Sequence, residues 1–165
     1  MQIPNHEVNP CQDSRTGIDL DMVLKLILTK GLPASGKTTW AKAYLQAHPK
    51  TANLCKDDLR LQLSDSQERE DRVVKVRDLL TEHYLSEGYS VIWSDTNLNP
   101  IHTQRAAELT KPHQAQLIIQ DFTHVALTEC IRRDLLRLHP VGQEVIHQMY
   151  QDYLASPSPK LEPLN

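Results

Sequence analysis

The sequence predicts an α/β domain in which a small parallel sheet carries helices on both faces, in three layers. Three observations predict this fold. Short apolar runs alternate with helical stretches, a glycine-rich loop joins the first apolar run to the first helix, and 165 residues fit a single domain. Strands that alternate with helices form βαβ units, whose crossovers return each strand parallel to the one before.

The first half of the chain contains two predicted strands and two predicted helices. The apolar run MVLKLIL (22–28) is short enough for a buried strand, and GLPASGKTTW leads from it into the helical stretch AKAYLQAH (41–48), which Pro49 stops. TANLC (51–55) is a weaker second strand. Apolar residues at three-to-four spacing predict one long amphipathic helix from about Ser66 to Glu87.

The second half repeats the alternation. YSVIWSD (89–95) and AQLIIQDF (115–122) are predicted strands. Asn99 is expected to cap a helix that Pro100 opens and that runs to about Thr110. Two further helices are predicted at the end of the domain, LTECIRRDLLRL (127–138) and EVIHQMYQDYL (144–154), joined by the short loop HPVGQ.

Composition excludes several classes of protein. A net charge of −3 argues against broad electrostatic wrapping of nucleic acid, although a small basic site for one or two phosphates remains compatible with it. Three dispersed cysteines argue against a disulfide framework or a zinc site and favour a reducing cytoplasm. The chain lacks the roughly 20 consecutive apolar residues of a membrane span. Residues 1–21 are expected to form a flexible extension and residues 156–165 a disordered tail around a domain at 22–155.

The strongest motif is GLPASGKT (31–38), which matches the phosphate-binding loop G-x-x-x-x-G-K-[ST] in full. Its glycines allow the backbone to approach a phosphate closely, and successive N–H groups then cradle the β-phosphate at the start of the following helix. Lys37 is placed for the β- and γ-phosphates, and the Thr38 hydroxyl for Mg²⁺. The predicted nucleotide-binding residues are Gly31, Ala34, Ser35, Gly36, Lys37, Thr38 and Thr39.

Acidic residues follow the next two predicted strands. Asp57 and Asp58 come after the second strand, and Asp95 ends the third. Because ligands of parallel α/β sheets bind at the carboxyl ends of the strands, these acids and the phosphate loop should meet at one rim. A carboxylate there can accept the proton of an acceptor hydroxyl during phosphoryl transfer, and Arg60 can bind a phosphate of the acceptor.

GLPASGKTTWA, KDDLR and SDTNLNP occur in an order and at a spacing that resemble the 5′-kinase domain of the T-even phage polynucleotide kinase family. The resemblance covers about residues 24 to 154 and implies a P-loop kinase-like fold with a helical lid. It implies that Asp57 is the general base on the 5′-OH, that Arg60 contacts the adjacent 3′-phosphate, and that Asp95 organises the site by pairing with a lid arginine. From the residues alone, Asp95 could equally be an acid on Mg²⁺.

The resemblance also assigns the lid. Arg137 is implied to reach the γ-phosphate and Arg133 to lie near the nucleotide, with ATP and Mg²⁺ required. Both arginines are four apart on one predicted helix and should share a face. Two departures stand out: Lys56 replaces an arginine of the phage enzyme, and the lid loop LHPVG is shorter and less basic. A 3′-phosphatase is not predicted, because the DxDGT motif of the phage protein is missing from this sequence.

Other residues are expected to be structural. Asp58 is predicted to cap the helix after it, Asn97 and Asn99 to serve in turns and caps, and Trp40 and Trp93 to lie in the core. Arg132 is expected to be an exposed helix charge. A solvated face is predicted for the basic residues interleaved with acids on the long helix, namely Arg69, Arg72, Lys75 and Arg77.

The leading hypothesis is an ATP- and Mg²⁺-dependent kinase that phosphorylates the 5′-OH end of DNA or RNA. One alternative is a P-loop kinase of a small molecule such as a nucleoside, an antibiotic or a sugar nucleotide, which the acidic pI of about 6.2 suits. The other is a nucleotide-binding regulatory protein without transfer activity. The set of Lys37, Thr38, Asp57 and Arg137 argues against this last alternative, because a protein that only binds nucleotide has no need of a base.

Overall fold

The computed structural model describes residues 23–63 and 69–155. Within them, parallel strands form one sheet in the order β2-β3-β1-β4. Leu26 pairs with Val91 of β3 on one side and with Leu117 of β4 on the other, so β1 is central. The strands are β1 (Lys25–Lys30), β2 (Thr51–Leu54), β3 (Ser90–Trp93) and β4 (Gln116–Asp121).

Helices connect the strands and cover both faces of the sheet. They are α1 (Lys37–Ala47), α2 (Lys56–Leu63), α3 (Arg69–Ser86), α4 (Pro100–Thr110), α5 (Leu127–Asp134) and α6 (Gln143–Tyr150). A short 3₁₀ turn (Lys111–His113) precedes β4, and one π-helical turn (Gln151–Ala155) follows α6. The predicted parallel α/β architecture is therefore confirmed.

Alternation along the strands separates the two cores of the three-layer fold. Ile27 and Ile92 face α1, where they pack with Ala41. Leu28 and Trp93 point to the other face and pack with residues of α3 and α4, such as Leu85 and Leu109. Each strand of a parallel sheet is buried on both faces, which explains why these strands read as continuous apolar runs.

A third cluster anchors the two last helices to the carboxyl end of the sheet. Cys130 of α5 and Ile146 of α6 are fully buried against Leu32 of the glycine-rich loop and Leu98 of the loop after β3. The segment predicted as a lid is therefore attached directly to the loop that follows β1.

One helix prediction after β2 needs correction. KDDLR opens a helix, α2, with Asp57 and Asp58 in its first turn, so Asp58 is not the cap that was predicted. α2 has only eight residues and buries Leu59 alone, which is too little to show a helical pattern. The predicted start of the long helix at Ser66 lies outside the described residues; α3 is described from Arg69.

The helix predicted for 127–138 ends at Asp134. Arg137 therefore lies beyond α5, and the prediction that it shares a helix face with Arg133 was wrong. The chain turns here because the buried Asp134 carboxylate accepts a hydrogen bond from the backbone N–H of Gly142 at 2.9 Å. A side chain that bonds the following loop competes with continuation of the helix.

The prediction of a solvated side chain was wrong for Arg77, which is completely buried. Its guanidinium lies 3.5 Å from the centre of the Trp93 ring and donates to Asp78, which also binds Arg105 at 2.8 Å. Cation–π stacking and an ion pair together make the burial of this charge possible. Arg72 and Lys75 are exposed as predicted, and the side chain of Arg69 lies outside the described part.

Several structural predictions are confirmed. The Asn99 side chain accepts from the N–H of Ile101 at 3.0 Å and caps α4, which Pro100 opens. Trp93 is fully buried, and Trp40 is half-buried against Tyr44. Residues 1–21 and 156–165, predicted as a flexible extension and a disordered tail, lie outside the described residues.

Candidate active site

A cavity of about 750 Å³ opens at the carboxyl end of the sheet. Its walls come from the loop after β1, the start of α2 after β2, the loop after β3, and the segment predicted as a lid, which consists of α5, α6 and their connection. Of the residues predicted for the site, those that line it are Ala34, Gly36, Lys37, Thr38, Thr39, Asp57, Arg60, Asp95, Arg133 and Arg137. The parallel topology thus brings together residues from four separate segments, as predicted for the rim.

The phosphate loop has the backbone that its sequence predicts. Gly36 has φ +106° and precedes α1 directly, and Ala34 also has a left-handed φ of +60°. The buried Lys37 Nζ donates to the carbonyl oxygens of Gly31 and Leu32 at 2.9 and 2.6 Å. Burial, together with the nearby charge of Arg137, lowers the pKa of Lys37 to about 8. An anion bound in this loop would therefore stabilise the charged form of Lys37.

Gly31 and Ser35 are buried and shape the loop from behind. The Gly31 N–H donates to the carbonyl of Thr96 at 3.0 Å, which ties the phosphate loop to the loop after β3. A Cβ at this position would lie 2.8 Å from Cβ of Phe122 and 2.9 Å from Oγ of Ser35. The first glycine of the motif is therefore required by packing, and no larger residue fits without moving the loop.

We expect Gly31→Ala to lower the free energy of unfolding by about 1–3 kcal/mol, because the added methyl group overpacks a rigid corner. ATP affinity should fall about tenfold or more as the loop shifts. Gly88→Ala is the control: Gly88 has φ +79° and open space around it, so alanine costs about 1–2 kcal/mol of backbone strain far from the loop. Chemical denaturation and ATP titration of both variants separate the two effects; equal ATP affinity in both would contradict the role of Gly31.

Charged side chains from α2 and α3 form a cluster on the opposite wall. Arg60 donates from Nη1 to Asp57 and from Nε and Nη2 to Glu70, at 3.1 and 2.7 Å. Lys56 Nζ donates to the other Glu70 oxygen at 2.9 Å. The Asp57 side chain is 79% exposed, so an acceptor hydroxyl can reach it. The geometry brings the predicted base and the predicted phosphate ligand into direct contact.

Asp95 lies between this cluster and the phosphate loop. Its Oδ1 accepts from the backbone N–H of Lys56 at 2.9 Å, and its buried Oδ2 has no hydrogen-bond partner among the described residues. Burial raises the pKa of this carboxyl, against the opposing effect of Lys56 and Arg77. Asn97 fixes the loop after β3 with hydrogen bonds from Nδ2 to the carbonyls of Thr29 and Trp93.

The residues present fit a magnesium ion. Thr38 and Asp95 both line the cavity, and the buried Oδ2 of Asp95 has no hydrogen-bond partner among residues 23–63 and 69–155. Hydroxyl and carboxylate oxygens are the ligands that Mg²⁺ takes, usually with several waters retained. A preassembled cage is not required for such an ion, and among the described residues no group of three or more His, Cys, Asp or Glu forms one.

The two lid arginines lie on the cavity wall but make their present hydrogen bonds to lid carboxylates. Arg133 donates to Glu129 at 2.6 Å, and Arg137 donates to Asp134 at 3.2 Å. The implied pairing of Asp95 with a lid arginine is therefore not made in this conformation. Arg132, predicted as an exposed charge, is exposed and also donates to Glu129.

Sequence reasoning missed two carboxylates that bind basic side chains of the site. Glu70 holds Lys56 and Arg60, and Asp134 holds both Arg137 and the Gly142 N–H. Burial would raise the pKa of Asp134, but the backbone N–H groups of Gly142 and Val141 together with Arg137 lower it. No sequence signal separates Glu70 from the other acids of a mixed-charge helix, because its partners are set by how α3 packs on α2.

None of the helices described between residues 23 and 155, apart from the undescribed stretch 64–68, is long and apolar enough to cross a membrane.

Comparison with known proteins gives a match of residues 26–156 to the AAA domain family. Two structures of a Pnkp1/Rnl/Hen1 complex, one called an RNA repair complex, contain a similar chain. The TM-scores are 0.60 and 0.64, the identities 25% and 20%, and the matches cover 67% and 79% of this chain.

The chain spans only 39% and 44% of the chains that it matches in those complexes. A third similar structure is the APS kinase CysC of Mycobacterium tuberculosis in complex with AMPPNP and APS. It has a TM-score of 0.57 at 18% identity, and the match covers 68% of this chain and 69% of that one. The likeness confirms the P-loop kinase-like fold with its parallel sheet and helices.

Proposed function

The chain belongs to the AAA domain family, and we propose that it is an ATP-dependent kinase that transfers the γ-phosphate to the 5′-OH end of DNA or RNA. One observation carries the proposal. The phosphate loop, the Asp57–Arg60 pair and Arg137 all line one cavity. Phosphoryl transfer requires these parts together, namely a phosphate cradle, a base at the acceptor hydroxyl and cations around the transferred group.

Asp57 acts on the acceptor. Its exposed carboxylate accepts the proton of the 5′-OH as the oxygen attacks the γ-phosphorus, and the bond from that phosphorus to the β,γ-bridging oxygen breaks, leaving ADP. The hydrogen bond from Arg60 Nη1 fixes the orientation of this carboxylate. Arg60 also supplies a positive charge for a phosphate on the same acceptor.

Lys37 and Arg137 act on the donor. The backbone N–H groups at the start of α1 and Lys37 Nζ bind the β- and γ-phosphates, after Nζ has left the carbonyl oxygens of the loop. Arg137 swings from Asp134 toward the transferred group and stabilises the charge that spreads over its oxygens. Thr38 and Asp95 would hold Mg²⁺, which would neutralise negative charge on the nucleotide phosphates.

The charge distribution of the acceptor wall supports a polynucleotide end. Lys56 and Arg60 line the cavity beside Asp57, which suits an acceptor that carries its own phosphate. The motifs KDDLR and SDTNLNP and the likeness to a chain of an RNA repair complex point the same way. The likeness to an APS kinase favours the alternative, a kinase of a small anionic acceptor.

The decisive experiment measures transfer of labelled γ-phosphate from ATP to a 5′-OH oligodeoxynucleotide, to a 5′-OH oligoribonucleotide and to adenosine 5′-phosphosulfate. We expect label on an oligonucleotide. Label on the phosphosulfate alone would establish the small-molecule alternative. Tight ATP binding with no label on any acceptor would contradict the polynucleotide proposal.

A further inference from the structure

The contacts of Glu70 resemble those of a bound phosphate. Its Oε2 receives two donors from one edge of the Arg60 guanidinium, Nε and Nη2, and its Oε1 receives the Lys56 ammonium. A guanidinium edge with an adjacent ammonium is the arrangement by which proteins hold a phosphate group. The carboxylate therefore holds the two cations that line the cavity, Lys56 and Arg60.

Stability alone does not explain this cluster. The Glu70 side chain is 51% exposed and that of Arg60 is 40% exposed, so this ion pair contributes little to folding, whereas the Lys56 partner is only 13% exposed. Both cations line the cavity next to the proposed base. The arrangement is therefore better explained by the ligand that these cations receive than by the attachment of α2 to α3.

We infer that Glu70 occupies the acceptor-phosphate subsite and that a phosphate beside the attacking hydroxyl must displace it from Lys56 and Arg60. This inference rests on the proposed kinase function, in which Arg60 binds a phosphate of the acceptor, and adds the carboxylate that this phosphate must displace. A free nucleoside has nothing with which to replace the carboxylate. Nucleoside 3′-phosphates and longer chains do.

Displacement of Glu70 would leave the third donor of Arg60, Nη1, bonded to the proposed base Asp57. Nη1 holds Asp57, whereas Nε and Nη2 hold Glu70, so the exchange of anions on one edge leaves the bond to the base in place. One guanidinium then aligns the acceptor's phosphate with the general base. Burial would raise the pKa of Glu70, but hydrogen bonds from Lys56 and Arg60 lower it, so the competitor is charged at neutral pH.

The test is binding of uridine 3′-monophosphate and of uridine to the full chain with saturating ADP. The variants are Glu70→Gln and, as a control with the same charge change on the neighbouring exposed residue, Asp71→Asn. The dissociation constant of the 3′-monophosphate should fall about three- to tenfold in Glu70→Gln and less than twofold in Asp71→Asn, with uridine unchanged. Unchanged or weaker binding of the 3′-monophosphate in Glu70→Gln would overturn the inference and make Glu70 a residue that orients Arg60.

Inorganic sulfate distinguishes failure of this inference from failure of the proposed function. With ADP bound, sulfate is titrated while the Arg60 Nε–H signal is followed by NMR. Suppose that neither wild type nor any variant binds uridine 3′-monophosphate, but that sulfate shifts the Arg60 signal at a lower concentration in Glu70→Gln than in wild type. The anion subsite is then supported, and the acceptor is a different anion. If sulfate acts equally on wild type and Glu70→Gln, the competition by Glu70 is refuted.

Discussion

Arg137→Ala is expected to lower kcat of phosphoryl transfer by about 10³- to 10⁵-fold, the range of other arginines that reach a transferred phosphate. The physical reason is the charge that spreads over the γ-phosphate oxygens, which a mobile guanidinium stabilises only in the transition state. ATP affinity should change much less, because Lys37 and the loop N–H groups hold the ground state. Single-turnover transfer from ATP measures the chemical step directly.

Arg132→Ala is the matched control for Arg137. It removes an arginine of the same lid that donates to Glu129 and does not line the cavity. We expect its transfer rate to stay within a factor of two or so of wild type, as is usual for exposed surface changes. Equal losses in the two variants would show that general lid charge, and not the position of Arg137, controls the rate.

Asp57→Ala is expected to lower kcat by about 10²- to 10⁴-fold, the contribution of a positioned general base. ATP binding should be retained, since Asp57 lies on the acceptor wall and not in the phosphate loop. Asp58→Ala supplies a close control, because this adjacent acid is also exposed in the first turn of α2 and does not line the cavity.

The choice of acceptor does not affect the Asp57 comparison. The same loss is expected with any acceptor alcohol that the protein accepts. If Asp57→Ala transfers phosphate at the rate of Asp58→Ala, Asp57 is not the general base and another residue of the cavity accepts the proton.

The parts of the fold that the sequence predicted are those with local signals. The phosphate loop has a spaced motif, and the strands have apolar runs long enough to recognise, such as SVIW (Ser90–Trp93). Asn99 and Pro100 mark the start of α4 without ambiguity. The rim could also be predicted, because parallel strands place their carboxyl ends at one edge of a sheet.

The errors arise where a residue's environment depends on distant contacts. Arg77 lies among charged residues on α3 and has the pattern of a solvated face, yet the Trp93 ring of β3 receives it. The end of α5 depends on the bond from the Gly142 N–H to Asp134, which no helix propensity encodes. The role of Glu70 was missed for the same reason, since only the packing of α3 against α2 brings it to Arg60.

The central position of β1 has a consequence for synthesis of the protein. β1 and the phosphate loop leave the ribosome early, but Leu26 pairs with Val91 and Leu117, and the Gly31 N–H needs the carbonyl of Thr96. Parallel pairings between segments so far apart form slowly and late. A nascent chain that stops before β3 therefore carries the complete GLPASGKT motif without the Thr96 carbonyl that fixes its first glycine, and we expect nucleotide to assist only the later stages of folding.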